Sequence, residues 1–171
     1  MTQDSPWENY ERIARILKSG SVEDLEREAA VNDQFPHGRD DWLERCWITN
    51  AIDIGSMQAI AWMVNRGVDL SFVDDEGYTP LLSTLDWQRA DKYRILEFLL
   101  ENGARTDLHG LNDWTAAHMA ATRDDVEALR ILERHGADLH ATRNDFVITT
   151  PLEDARALGC MNAATFLESK Q

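Results

Sequence analysis

The chain has 171 residues, a length typical of one domain, and its 31 acidic and 17 basic residues give a formal net charge of −14 at pH 7. Nucleic-acid phosphates and anionic lipids repel so negative a chain, which argues against binding to nucleic acid or a membrane surface and favours a basic partner protein. Hydrophobic residues make up 43% of the chain, enough to form a folded core.

Cysteine content and hydropathy predict a cytoplasmic protein. Cys46 and Cys160 lie far apart and form neither a CxxC motif nor a disulfide framework, which suits a reducing compartment. The first twenty residues contain several acids and no apolar stretch typical of a signal peptide. No run of eighteen apolar residues exists, so we expect no membrane-spanning helix.

The first forty residues predict a capping helix pair followed by a linker. Residues 5–8 (SPWE) form a capping box with proline at the first helical position, and Ile13 contributes to an apolar helix face. A second helix should begin after Gly20, with Leu25 facing inward. Its later charged residues, including Glu28, suggest a capping repeat with one solvent-exposed side. Residues 31–41 read as a longer loop.

An internal repeat follows. Gly67, Gly103 and Gly136 end three similar segments and lie 36 and 33 residues apart. The segment openings lie 21, 24 and 21 residues before these glycines, at Cys46, Thr79 and Thr115. The middle unit therefore contains three extra residues near Trp87, which either widen a turn or extend its first helix. A last opening begins at Thr150.

Each unit predicts two helices and a loop. A threonine followed by proline, at residues 79–80 and 150–151, places a hydroxyl at the N-cap and proline at the first helical position. Apolar residues then recur at helical spacing. The glycines should end the second helices in the left-handed conformation. The apolar positions of the second helices are Met57, Ile60, Trp62, Met63; Tyr93, Leu96, Phe98, Leu99; Val126, Leu129, Ile131, Leu132; Met161, Ala164, Phe166 and Leu167.

Opening, glycine and spacing together resemble the ankyrin repeat, whose pattern reads T-P-L-H-x-A-A and later L-L-x-x-G-A-D. The resemblance covers about residues 41–168. It implies an all-α ankyrin-repeat solenoid of stacked helix pairs with projecting loops. We expect one domain over 1–171, with a capping unit and linker at 1–40, three internal repeats at 41–149 and a capping repeat at 150–171. Only His118 keeps the family histidine, and Cys46 replaces the threonine.

No catalytic or metal-binding constellation stands out. The chain contains no glycine-rich phosphate loop, nucleophile elbow or HExxH motif. His135, Asp138 and His140 surround a turn, but a structural metal site usually needs four ligands. The resemblance implies that His118 satisfies backbone groups of a neighbouring unit. We therefore expect no enzyme, no metal and no cofactor.

The resemblance also implies that loop tips, the residue before each opening and the end of each first helix line a concave face. Exposed aromatic residues there are typical of interface hot spots, unless the rings pack between adjacent loops. Acids there would steer a cationic partner, unless they serve solubility alone. Trp62 should instead pack in the core. The predicted partner-binding residues are Trp42, Arg45, Asp53, Asp75, Glu76, Tyr78, Asp86, Trp87, Trp114, Arg123 and Phe146.

These patterns favour a non-catalytic protein-binding module that is monomeric on its own. Within that class, the acidity and the aromatic face favour an inhibitor or immunity protein that neutralises a basic toxin or effector. The alternative is an adaptor or assembly subunit that recruits a cellular protein. A third hypothesis is an enzyme whose site lies in the groove beside the first helices.

Overall fold

The computed structural model describes residues 5–143 and 148–171, and this part of the chain is helical. The predicted all-α fold of helix pairs is confirmed there. The ten α-helices of these residues are α1 (Pro6–Ser19), α2 (Val22–Ala29), α3 (Trp47–Ile54), α4 (Met57–Asn65), α5 (Pro80–Asp86), α6 (Lys92–Glu101), α7 (Ala116–Thr122), α8 (Val126–Arg134), α9 (Pro151–Leu158) and α10 (Met161–Glu168).

Helix ends follow the local sequence. The Ser5 and Thr150 side chains accept hydrogen bonds from the backbone N–H groups of Glu8 and Glu153, whose carboxylates bond back in complete capping boxes. Cys46, which replaces a threonine, forms no side-chain cap at the start of α3. Gly67, Gly103 and Gly136 adopt φ values of 76°, 91° and 78° just after α4, α6 and α8, as predicted.

Residues Met1–Asp69 form one compact unit, hereafter the N-terminal unit. Its core contains Trp47 and a stacked pair of rings, Phe35 and Trp62, whose centroids lie 5.7 Å apart. The Trp62 Nε1–H also donates to Glu26, 2.8 Å away, so its core role is confirmed. The expectation that Glu28 lies on a solvent-exposed side is wrong, because its side chain is only 3% exposed and forms an ion pair with Arg12.

Residues Leu70–Gln171 form the second compact unit, hereafter the C-terminal unit. The second-helix positions Leu96, Leu129 and Phe166 are buried as predicted. Two predicted apolar positions face solvent instead. Met161 is largely exposed at the start of α10. Tyr93 is 37% exposed, and its hydroxyl donates a 2.9 Å hydrogen bond to the buried carboxylate of Asp125.

The extra residues of the middle unit widen a turn. Helices α5 and α7 both contain seven residues, so the first helix is not extended. Five residues, 87–91, separate α5 from α6, whereas only residues 55–56 separate α3 from α4. Arg89 holds this turn through two 2.9 Å hydrogen bonds to the carboxylate of Asp91. The assignment of all 171 residues to one domain stays a prediction.

Candidate functional site

The projecting loops are closed by the same backbone bond in both units. The N–H of Asp40 donates to the carbonyl of Arg45, and the N–H of Asp74 donates to the carbonyl of Tyr78, both at 2.9 Å. The two aspartates are buried, and their carboxylates accept further N–H groups of their own loops. Each loop is thus held in one conformation, which places the residue before the next helix.

In the C-terminal unit, two successive loops lie directly against each other. The N–H of Leu111 donates to the carbonyl oxygen of Gly77, 2.6 Å away. A Cβ atom at Gly110 would lie 2.3 Å from that same oxygen, so only glycine allows the approach. This contact fixes the Tyr78 loop beside the Trp114 loop.

For α3 and α5, a residue just before the helix contacts an aspartate in its last turn. Arg45 forms a 2.7 Å ion pair with Asp53, and the Tyr78 hydroxyl donates a 3.0 Å hydrogen bond to Asp86. The expectation that Asp53 is an outward-facing acid is wrong, because its side chain is only 5% exposed and turns toward Arg45. Sequence spacing places this residue at the end of α3 but does not show which way its carboxylate turns.

Asp86 is also paired. Its second oxygen accepts a hydrogen bond from Arg123, which follows α7, so the Tyr78–Asp86–Arg123 cluster links two consecutive helix pairs. Burial, followed by the hydrogen bond to Asp86, raises the pKa of Tyr78 above its ordinary value. Asp86 therefore offers less free negative charge than the sequence suggests. Asp75 and Glu76, at the loop tip, are exposed.

The predicted aromatic residues differ in exposure. Trp87 in the C-terminal unit is 52% exposed, and Trp42 in the N-terminal unit is 51% exposed. Tyr78 and Trp114 are half-buried, so both residues take part in packing and keep part of their surface exposed. The Trp114 Nε1–H is buried and has no hydrogen-bond partner among residues 5–143 and 148–171. Phe146 lies outside the described residues.

Comparison with known proteins identifies the family. The ankyrin repeat model matches residues 112–144. The chain is 33% identical over 109 residues to the putative ankyrin repeat protein FPV031 of fowlpox virus, covering 62% of this chain and 29% of that protein. It is 28% identical over 121 residues to the probable E3 ubiquitin-protein ligase XBOS34 of Oryza sativa subsp. japonica, covering 70% of this chain and 23% of the relative.

A third relative is the ankyrin repeat and KH domain-containing protein mask-1 of Caenorhabditis elegans, 31% identical over 127 residues, 74% of this chain and 4% of that protein. The chain belongs to the ankyrin-repeat family. It spans about a quarter of the length of the first relatives that it matches. Ankyrin repeats form a protein–protein interaction module and in general are not enzymes.

His118 of the matched ankyrin repeat links two consecutive repeats within the C-terminal unit. Its Nδ1 accepts a hydrogen bond from the N–H of Thr115 at 3.3 Å. Its Nε2 lies 3.3 Å from the carbonyl oxygen of Thr149, just before the next repeat. Burial lowers the pKa of His118 below its ordinary value of 6.5, although the bond to Thr149 opposes this shift. The role that the family resemblance implies for this histidine is therefore confirmed.

A second aromatic surface of this ankyrin-repeat chain was missed by the sequence analysis. In the N-terminal unit, the Trp7 ring lies edge-on to Trp42, with ring centroids 5.5 Å apart, and stacks on Tyr10 at 6.0 Å. Trp7, Tyr10 and the end of α3 at Ile54 line a groove of about 330 Å³. The spacing of Trp7, Tyr10 and Ala14, three and four residues apart along one helix, could have indicated this second stripe.

The described residues contain neither a metal-binding cluster nor a membrane-spanning helix. Across residues 5–143 and 148–171, no group of three or more histidine, cysteine or acidic side chains could hold a metal ion. Within the same residues, no helix is long and apolar enough to cross a bilayer. His135 and His140 lie in or beside the turn after α8, as the sequence predicts.

Proposed function

We propose that this ankyrin-repeat chain binds a basic protein partner through a face of its C-terminal unit, centred on Trp87. The single observation that carries the proposal is the ring of Trp87, which is half exposed on a turn that Arg89 and Asp91 brace. An exposed tryptophan on an ordered turn adds a large contact area, and its ring loses little side-chain entropy on binding.

The surroundings of Trp87 support a preformed surface. Asp86 directly precedes it and is fixed by Tyr78 and Arg123. Tyr78 and Trp114 lie on the two loops that the Gly77–Leu111 hydrogen bond joins. A surface that is already ordered loses little conformational freedom on binding, which favours affinity.

The charge of this surface supports a basic partner. The net charge of the chain is −14, and Asp75 and Glu76 extend from the exposed loop tip. Such charges accelerate the encounter with a cationic surface and disfavour acidic competitors. Asp53, turned toward Arg45, is not included among the steering acids. Trp42 and Arg45 remain proposed binding residues of the N-terminal unit, and Phe146 remains a proposal from the sequence.

Inhibition of a basic toxin or effector is the outcome that we favour for this binding. A ligand that covers a cationic surface blocks whatever acidic substrate that surface recognises. The second candidate is an adaptor. It is favoured by the relatives, which are about four times longer than the matched region and include proteins named as E3 ubiquitin-protein ligases.

The test is capture of a partner by three forms of the protein: wild type, Trp87→Ala, and Met161→Ala as a control for loss of an exposed apolar side chain in the same unit. We expect a basic protein that wild type and Met161→Ala retain, and that Trp87→Ala binds about thirtyfold more weakly, corresponding to about 2 kcal/mol. The proposal would be contradicted if no captured protein depends on Trp87, or if the protein that depends on Trp87 is acidic.

The captured protein then separates inhibitor from adaptor. For an inhibitor, a stoichiometric amount of the chain should abolish the partner's activity, and Trp87→Ala should require a higher concentration to do so. For an adaptor, the partner stays active in the complex, and a third protein joins the assembly through a surface that Trp87→Ala leaves intact.

A further inference from the structure

A groove along α1 in the N-terminal unit combines an apolar wall with a basic end. Its apolar wall consists of Trp7, Tyr10, Ala14 and Ile54. Trp7 is 44% exposed and lies edge-on to Trp42, so two large rings stand side by side at one end. Clustered exposed aromatic rings of this kind mark interaction surfaces, whereas single exposed apolar residues do not.

The opposite end of the groove is basic. Arg15 and Lys18, one helical turn apart on α1, line it and are exposed. Neither has a carboxylate partner among the residues that the structure describes. In the same unit, Arg12, Arg45 and Arg66 each pair with an acid. Two exposed cations without a carboxylate partner in residues 5–143 and 148–171 thus lie at one end of an apolar groove, although the chain has a net charge of −14.

We propose that this groove docks a short segment of a partner protein that combines a large apolar side chain with carboxylates on one side of it. The apolar side chain packs against Trp7, Tyr10 and Ile54, and the carboxylates meet Arg15 and Lys18. This segment is acidic, so it differs in charge from the basic partner proposed for the C-terminal unit.

The dimensions fit a short segment. From Trp7 to Lys18, α1 extends about 16 Å, the length of roughly five extended residues or three helical turns. Glu11 also lines the groove, between the aromatic and basic ends. Its negative charge opposes an acidic ligand. Removing this charge in Glu11→Gln should therefore strengthen binding, whereas removing the charges of Arg15 and Lys18 should weaken it.

The test uses a phage-displayed library of random twelve-residue peptides as the probe, selected on the wild-type protein and counter-selected on the double variant Arg15→Gln/Lys18→Gln. We expect the peptides specific to wild type to contain at least one large apolar residue and two or more acids. Peptides that also bind the double variant but not Trp87→Ala belong to the other face.

One enriched peptide, labelled with fluorescein, is then titrated by fluorescence anisotropy. We expect the Kd to rise tenfold or more for Arg15→Gln/Lys18→Gln, to fall for Glu11→Gln, and to stay unchanged for Arg94→Gln, a control at an exposed arginine of α6. Equal melting temperatures for these variants exclude unfolding as the cause.

Three results would overturn the proposal: no peptide specific to wild type, wild-type-specific peptides without an excess of acids, or equal affinity for all four proteins. A fourth is sedimentation of the wild type as a dimer that the double variant loses, because the groove would then be an interface between two copies of the chain.

Discussion

The hydroxyl group of Tyr78 donates a 3.0 Å hydrogen bond to the carboxylate of Asp86, eight residues later in the chain. Arg45 and Asp53 occupy the corresponding positions of the N-terminal unit and form an ion pair of 2.7 Å. In both cases, the residue before a first helix is tied to the acid at its end. Different side chains thus perform the same task of fixing a loop against its helix.

The Tyr78–Asp86 bond should contribute to stability beyond the separate effects of the two side chains. In a double-mutant cycle of Tyr78→Phe and Asp86→Ala, we expect a coupling free energy of about 0.5–1.5 kcal/mol. Urea unfolding of the four proteins measures it. Arg123→Gln, which removes a more exposed partner of Asp86, should cost at most about 1 kcal/mol. Strict additivity of the two single changes would mean that the hydrogen bond contributes nothing.

Two tryptophans should respond oppositely to truncation. Trp62→Ala removes a buried ring stacked on Phe35 and should lower the free energy of unfolding by about 3–5 kcal/mol. Trp87→Ala removes a half-exposed ring and should change it by less than about 0.5 kcal/mol. Chemical denaturation monitored by circular dichroism distinguishes the two. A large loss for Trp87→Ala would show that its ring serves packing.

The close approach of two loops at Gly110 should be sensitive to one added methyl group. In Gly110→Ala, the new Cβ meets the carbonyl oxygen of Gly77 and the side chain of Leu82, so we expect a loss of about 1–3 kcal/mol. Amide exchange at Leu111, bonded to Gly77, should accelerate.

Gly103→Ala is the matched control for that change. It strains a left-handed backbone with nothing within 4 Å of the new Cβ, so it should cost about 1–2 kcal/mol without accelerating exchange at Leu111 through the loop contact. The acceleration of Leu111 exchange can be divided by the stability loss of each variant. If this ratio is the same for Gly110→Ala and Gly103→Ala, the contact between the loops does not cause the faster exchange.

His118 should make stability depend on pH in the acidic range. Its pKa in the folded protein is lowered, chiefly by burial, so the folded state disfavours its protonation relative to the unfolded state. The contribution of neutral His118 to the free energy of unfolding is therefore fully present above about pH 6.5. This contribution is lost as the pH falls through the lower pKa of the folded state.

The measurement is the difference in the free energy of unfolding between wild type and His118→Gln, taken from pH 8 to pH 5. This difference should favour wild type most at pH 8 and shrink below pH 6.5. A difference that stays constant over the whole range would mean that the imidazole does not titrate with folding. Comparison with the variant removes the contribution of the many carboxylates.

The sequence predicts most of the fold because the repeated signals act locally. The caps at Ser5 and Thr150 and the left-handed glycine at Gly103 need only neighbouring residues to determine where helices begin and end. Burial of Trp62 and the role of His118 follow from their positions in the repeat. All these features are set by spacing along the chain.

Features that depend on the direction of a side chain could be predicted less well. Spacing locates Asp53 at the end of α3, but its turn toward Arg45 depends on which side chain lies opposite. Glu28 reads as a solvent-facing residue until Arg12 on another helix is seen to pair with it. The aromatic groove on α1 was missed because residues 5–8 were interpreted only as a capping box, which involves the Ser5 and Glu8 side chains and leaves Trp7 unexplained.

The widened turn at residues 87–91 has a consequence for how such a chain can change partners. The additional residues lie between two complete helices. They therefore do not interrupt α5 or α6. Loops of this kind tolerate replacement at small thermodynamic cost. The segment carrying Trp87 could therefore be exchanged for another of different length and composition, giving new binding specificity on an unchanged scaffold.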